Sequence, residues 1–286
     1  MKRTLLLFAA WLLLGPLVSA QPRMLHKQPP RVPEYAAFAG DTVWFDRQDL
    51  YERMDRELIS FTNMHTNSLL MLKRSKRIFA QIVPILKQNG IPEDLKYLMA
   101  IESNCDPKAL SIAGAAGLWQ FTKATAQTYG LETTPEVDER YHIEKETVAA
   151  CKFLKDAHRK FGDWITVAAG YNAGQGGISR RREEQKQDSA LDLWMPEETM
   201  RYIFRILAAK MFFENPVAFG FLVPEDEMYP VVPPKKTVSV SEPIPSLVDF
   251  ALEHKTTYAR LKEANLWLRS DKLTNKAGKT YQIIIP

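Results

Sequence analysis

Between residues 46 and 215 apolar side chains recur every three or four positions, a period that places them on one side of an α-helix and on both faces of a strand. Leu50, Met54, Leu58 and Phe61 form one such stripe with charges between them, and Leu69, Leu72, Ile78, Ile82, Ile85 and Leu86 form the next. Ile91-Pro92-Glu93-Asp94 has the proline and acids of a first helical turn, which predicts a helix through LKYLMAIES. Further helices are expected over 117–129 and over 143–161, where Thr147, Ala150, Cys151, Leu154, Ala157 and Phe161 share a face. Gly162-Asp163 opens another over WITVAAGYN, Gly174-Gln175-Gly176-Gly177 is expected to break it, and a last one starts at Pro196 with Tyr202, Phe204, Leu207 and Met211. Strand signals are almost absent before residue 230, so the expected fold class is mainly α.

The flanks have a different texture. Residues 1–20 combine a charged start, Lys2-Arg3, with a short apolar run and the small pair Ser19-Ala20, the pattern of a cleaved signal peptide. The run is short for a membrane span and Gly15-Pro16 interrupts it, so export without a stable span is expected. Loss of these residues takes the formal charge from +4 to +4 − 2 = +2, too mild to argue for a nucleic-acid partner. Residues 21–40 are dotted with proline and are expected to be flexible, 41–223 to form the helical domain with its core at 90–215, and 224–236 to be a proline-rich linker. The segment 237–286 has an alternating TVSV, two short helical stretches and a closing YQIII, which fits a small β-α-α-β module.

Cys105 and Cys151 are the two cysteines. In an exported chain they are a candidate disulfide, worth about 4 kcal/mol by loop-closure entropy; the alternative is two buried thiols behaving as small hydrophobes. Glu102 continues the apolar stripe of Leu95, Leu98 and Met99. A carboxyl on that face is poorly solvated and its pKa rises, as a general acid at neutral pH requires; a helix-end glutamate that reaches solvent or pairs with a base has the same spacing. Trp119 reads first as core packing. The five histidines have no metal-ligand spacing, and neither a phosphate loop nor a G-x-S-x-G elbow is present, so no metal, no cofactor and no covalent serine chemistry are expected.

The string ESNCDPKALSIAGAAGLWQF, followed by AGYNAGQGG and then ETMRYI, resembles the lytic transglycosylases with a goose-type-lysozyme-like fold, especially the membrane-bound murein transglycosylase D group. The three motifs stand in the right order over roughly residues 95–220. The resemblance implies a lysozyme-like helical domain, Glu102 as the sole acid/base, and a saccharide groove lined by Ser111, Gly114, Gln120, Tyr171, Asn172 and Tyr202. Cys105-Asp106-Pro107 departs from the family's usual Phe-Asn-Pro after the Glu-Ser-x step. The implied reaction cleaves peptidoglycan between N-acetylmuramic acid and N-acetylglucosamine without water, leaving a 1,6-anhydro end, in an exported, periplasmic protein. A hydrolytic muramidase and a silent peptidoglycan-binding protein are the alternatives. Residues 237–286 resemble a LysM unit through Leu247, Phe250, Ala251, Thr257, Leu261, Asn265 and Leu273, with Ser-Glu-Pro-Ile-Pro where a Gly-Asp-Thr is usual; sugar binding and a structural cap are both open.

Overall fold

Asp94 gathers three parts of the chain at one carboxylate: its Oδ2 accepts the Ala39 amide at 2.8 Å and the Lys210 ammonium at 2.6 Å. The computed structural model describes residues 28–276 and 278–286; the expected signal peptide lies outside them. The body is helical: α1 (Gln48–Asn63), α2 (His65–Gln88), α3 (Leu95–Ser103), α4 (Lys123–Thr128), α5 (Ile143–Phe161), α6 (Trp164–Ala173), α7 (Gln175–Gln185) and α8 (Glu197–Glu214). Helix α8 packs against α1, α3 and α6, and α2 lies across α3 and α5. Leu95, Leu98, Met99 and Ala100 of α3 are fully buried against Ile203, Phe204, Ile206 and Leu207 of α8 in one apolar cluster. No helix among the described residues is long and apolar enough to cross a membrane.

Four expectations are corrected. Residues 35–44, placed partly in the flexible segment 21–40, form an antiparallel hairpin of β1 (Tyr35–Phe38) and β2 (Asp41–Trp44). Its two-residue turn, Ala39-Gly40, has φ of 56° and 99°, the positive pair that twists with the strands; with alanine in the place usually taken by Asn or Asp, the turn signal was weak. Phe38 and Val43 join the helical core, and Asp41 accepts the Trp164 amide at 2.6 Å, capping α6. The helix expected over 117–129 is reduced to α4, because Gly117 and Gln120 take positive φ and residue 116 bridges to 110 and 121. Only Gly174 breaks the chain, at φ 79°, while Gly176 and Gly177 lie inside α7.

The cysteines are the fourth. Both thiols are free and fully buried. Cys105 follows α3 and Cys151 sits mid-way along α5, each packed among apolar neighbours of the core, where thiol burial needs no bridge. Loss of water around the sulfur pushes the Cys105 thiol up strongly and Cys151 to about 11.

The segment 224–236 is anchored at its start. The Tyr229 amide donates to Lys73 O at 2.9 Å, Glu225 pairs with Lys76, and Met228 packs on the core. Beyond it β3 (Lys236–Val240) pairs antiparallel with β4 (Tyr281–Ile285), with α9 (Leu247–Glu253) and α10 (Tyr258–Ala264) between them. Asn265, buried at the end of α10, donates to Leu261 O and Ile284 O and accepts the Ile284 amide, so both its N–H groups and its carbonyl oxygen are engaged. The module is docked. Ala116, Val137 and Tyr141 belong to its apolar cluster, Arg269 lies 4.3 Å over the Tyr141 ring, and Glu136 accepts the Thr274 amide at 2.7 Å.

The buried thiols generate a test. A maleimide should label neither cysteine in the native chain and both after denaturation without reductant; one mass under reducing and non-reducing conditions should accompany this.

Candidate active site

The last turn of α3 carries Glu102, half-buried, and α8 brings Tyr202 over it, so that the Tyr202 hydroxyl donates to Glu102 Oε1. Two opposed effects act on this carboxyl. Removal from water favours its neutral form, and the Tyr202 hydroxyl with the Arg205 charge favours the anion. Desolvation is the larger, and the pKa of Glu102 is pushed up to about 7. Tyr202 itself is held well above 10 by burial and by the neighbouring Glu102. It therefore remains a hydrogen-bond donor across the neutral range.

Tyr171 and Asn172 leave α6 at its C-terminal end and tie it to two other elements. The Tyr171 hydroxyl donates to Trp119 O at 2.6 Å, and Asn172 Oδ1 accepts from Thr199 Oγ1, on α8, at 2.8 Å. With Asn172 Oδ1 engaged, its amide NH2 is the half with no partner among the described residues, available to donate to a ligand's oxygen. Gln120 is the reverse: its NH2 donates to Gly117 O at 2.8 Å, leaving the carbonyl as the unpaired end. Glu102 and Tyr202 thus touch directly, and the Glu102 charge also acts on the buried Tyr171 hydroxyl. Ser111 and Gly114 lie on the exposed loop before the turn and make no hydrogen bond with these residues among those described. Ser111 Oγ accepts the Ala115 amide at 3.0 Å, and Gly114, at φ 80°, hands its carbonyl to Arg140. Trp119 is fully buried and donates from Nε1 to Thr147 Oγ1 at 3.0 Å, a packing role.

Two residues beneath this turn escaped sequence reasoning. Arg140 is buried against Asp138 and donates from Nη1 to Gly114 O at 2.7 Å and to Phe121 O at 3.0 Å, pinning both ends of the turn. Glu146, fully buried in the first turn of α5, accepts the Trp119 amide on Oε2 at 3.2 Å, while its Oε1 has no hydrogen-bond partner among the described residues. Burial raises its pKa well above 4.5. An acid at a helix start reads from sequence as a solvated dipole partner, and nothing in the spacing marks it as interior. Gly117 is dictated by the same contacts: a Cβ there would stand 1.7 Å from Arg140 O and 2.4 Å from Glu146 Oε2.

Gly117→Ala should therefore lower stability by more than about 3 kcal/mol in thermal unfolding, since both φ and space forbid the methyl. Glu146 holds its proton more tightly in the fold than when unfolded, because burial disfavours the anion, so its contribution is complete below pH 4.5 and is lost as pH rises above it. Glu146→Gln, which cannot ionise, should gain on the wild type with rising pH by up to about 1.4 kcal/mol per unit; parallel stability curves from pH 5 to 8 would contradict this.

Comparison with known proteins bears on the same residues. Residues 82–193 match the transglycosylase SLT domain, and residues 236–286 match the soluble lytic transglycosylase C-terminal LysM-like domain. Membrane-bound lytic murein transglycosylase D of Escherichia coli K12 is 29% identical over 196 residues, 66% of this chain and 42% of that protein. Peptidoglycan transglycosylase gp16 of Escherichia phage T7 is 35% identical over 153 residues, half of this chain and 11% of the phage protein. A solved inactive mutant of the lytic transglycosylase Slt from Pseudomonas aeruginosa is similar at 20% identity and a TM-score of 0.41, over 53% of this chain and 26% of that one. The chain spans less than half the length of these curated relatives. It carries a transglycosylase SLT domain at residues 82–193, followed by a LysM-like domain of the soluble lytic transglycosylase type at residues 236–286.

Proposed function

We propose that the chain is a peptidoglycan lytic transglycosylase with Glu102 as its acid/base, acting in the cell envelope after export to the periplasm. The observation that carries this is the Glu102–Tyr202 pair inside an SLT domain: a carboxyl poised at about 7 with a permanent donor on one oxygen. General acid-base catalysis is most effective when the group's pKa lies near the working pH.

The chemistry follows from one carboxyl used twice. Protonated Glu102 gives its proton to the glycosidic oxygen as the bond from C1 of N-acetylmuramic acid breaks. The resulting carboxylate is the form that the Tyr202 hydroxyl stabilises. It then takes the proton of the C6 hydroxyl on the same sugar, whose oxygen closes on C1 to give the 1,6-anhydro ring; the proton returns to Glu102 and no water is consumed. Asn172 and Gln120, each with one unpaired amide end, are the groups suited to the acetamido and hydroxyl substituents, with Tyr171 holding the backbone between them. Ser111 and Gly114 are assigned to a more distant stretch of the groove, on the exposed loop. The LysM-like module is assigned to the same polymer.

Three outcomes are expected. Glu102→Gln should reduce clearing of purified sacculi by at least about 100-fold. Mass spectrometry of the digest should show anhydro-muropeptides, and reducing-end products would identify a water-using muramidase instead. Because the acid form is required, kcat/KM should fall above pH 7; Tyr202→Phe removes a stabiliser of the anion, so its falling limb should move to higher pH while the rate drops.

A further inference from the structure

A cavity of about 270 Å3 lies beside Glu102, between α1, the start of α2, the end of α3 and α8. Its position follows from the helices that frame the acid. Ile101 and Asn104, on either side of Glu102, line it from α3, and Arg201 and Arg205, flanking Tyr202, line it from α8. Arg205 is close enough for its charge to act on Glu102.

The charges in this cavity do not balance. Glu57, 1% exposed, is the carboxylate that faces the two guanidiniums, taking Arg201 Nε at 2.7 Å and Arg205 Nε at 3.6 Å. One anion thus serves two cations. Among the described residues no acceptor meets the Nη groups of either arginine, and both side chains keep partial contact with solvent, at 23% and 38% exposure. A guanidinium whose Nε is already engaged still offers a planar pair of Nη donors, which suits a carboxylate. The remaining wall sets apolar Phe61, Met64, Met71 and Ile101 among Ser60, Ser68 and Asn104, with the exposed amide of Asn67 at the rim. A neutral sugar would leave the excess charge unanswered, and an inorganic anion would leave the thioether wall unused. An occupant with a carboxylate on a short aliphatic body answers both.

We propose that this cavity is a subsite for the acidic peptide stem carried by the glycan strand, with Arg201 and Arg205 receiving a stem carboxylate and Met64, Met71 and Ile101 receiving its aliphatic part. The proposal rests on the lytic reading of Glu102 for its substrate, and it adds what that reading lacks, a reason for the chain to distinguish strands with stems from bare ones.

The test measures binding apart from cleavage. Calorimetry with the full-length chain compares a soluble stem peptide bearing free carboxylates with the same peptide amidated. The free acid should bind about tenfold more tightly, the worth of one charge-assisted contact. Asn67→Asp, a change at an exposed position with no hydrogen bond of its own among those described, should weaken the free acid about threefold through charge repulsion and leave the amidated peptide unaffected. Equal affinities for the two peptides, absence of binding, or an Asn67→Asp effect shared by both would overturn the proposal. Digestion of purified sacculi, whose strands carry stems, run in parallel, separates the two ideas: a chain that discriminates the peptides and cuts no strand retains the subsite and loses the lytic reading. One that cuts strands and treats both peptides alike retains the reading and loses the subsite.

Discussion

Removing one carboxyl from water is the constraint on which this architecture turns. Glu102 stands on the face of α3 that Leu95, Leu98 and Met99 press into the core, and an ionised group there is costly unless something answers it. Tyr202 and Arg205 answer it from a single helix, one turn apart on α8. The relative placement of α3 and α8 therefore sets the proton affinity of Glu102. Buried Ile203, Phe204 and Leu207 hold that placement on the inner side, and the Asp94–Lys210 ion pair holds it on the outer side.

A second set of contacts fixes the turn that faces this pair. Arg140 and Glu146 grip the backbone from Gly114 to Phe121 from below, and Tyr171 grips it from the side. These groups come from separate elements, and all of them act on main-chain atoms. Within the turn the Gln120 NH2 adds a bond to Gly117 O, which leaves the Gln120 carbonyl as the end it offers outward. Gly117 is the cost of that arrangement, since the two supports close to within a methyl group of its Cα.

Much of the helical body is legible in the sequence because burial and helical period act on the same residues: the stripes through α1, α2, α5 and α8 can be read directly. The hairpin is not, because its turn rests on Ala39 at a positive φ, which composition does not advertise. Nor is the short span of α4, where a run of alanines and a good N-cap favour a helix and a bridge of Ala116 to two neighbours forbids it upstream. At the site, the apolar setting of Glu102 follows from spacing, whereas its contact with a tyrosine 100 residues away does not. Arg140 and Glu146 are least legible of all, being charged residues whose partners are carbonyls and amides about twenty to thirty residues distant. The two cysteines show the opposite hazard: their number invites a bridge, and the packing has no use for one.

The docking of the C-terminal module changes how the two parts can cooperate on a polymer. A module on a flexible tether raises the local concentration of its partner over a broad volume, and the linker length sets that gain. Here Glu136, Val137 and Tyr141 are shared with Trp267, Leu268, Arg269 and Thr274, and the strap before the module is tied to α2 through Tyr229. Search volume is surrendered and offset is gained. Under the proposed lytic reading, a strand bound by both parts would meet Glu102 at a constant number of sugars from the module, and the pair would act as a ruler along the glycan instead of a hook and a blade.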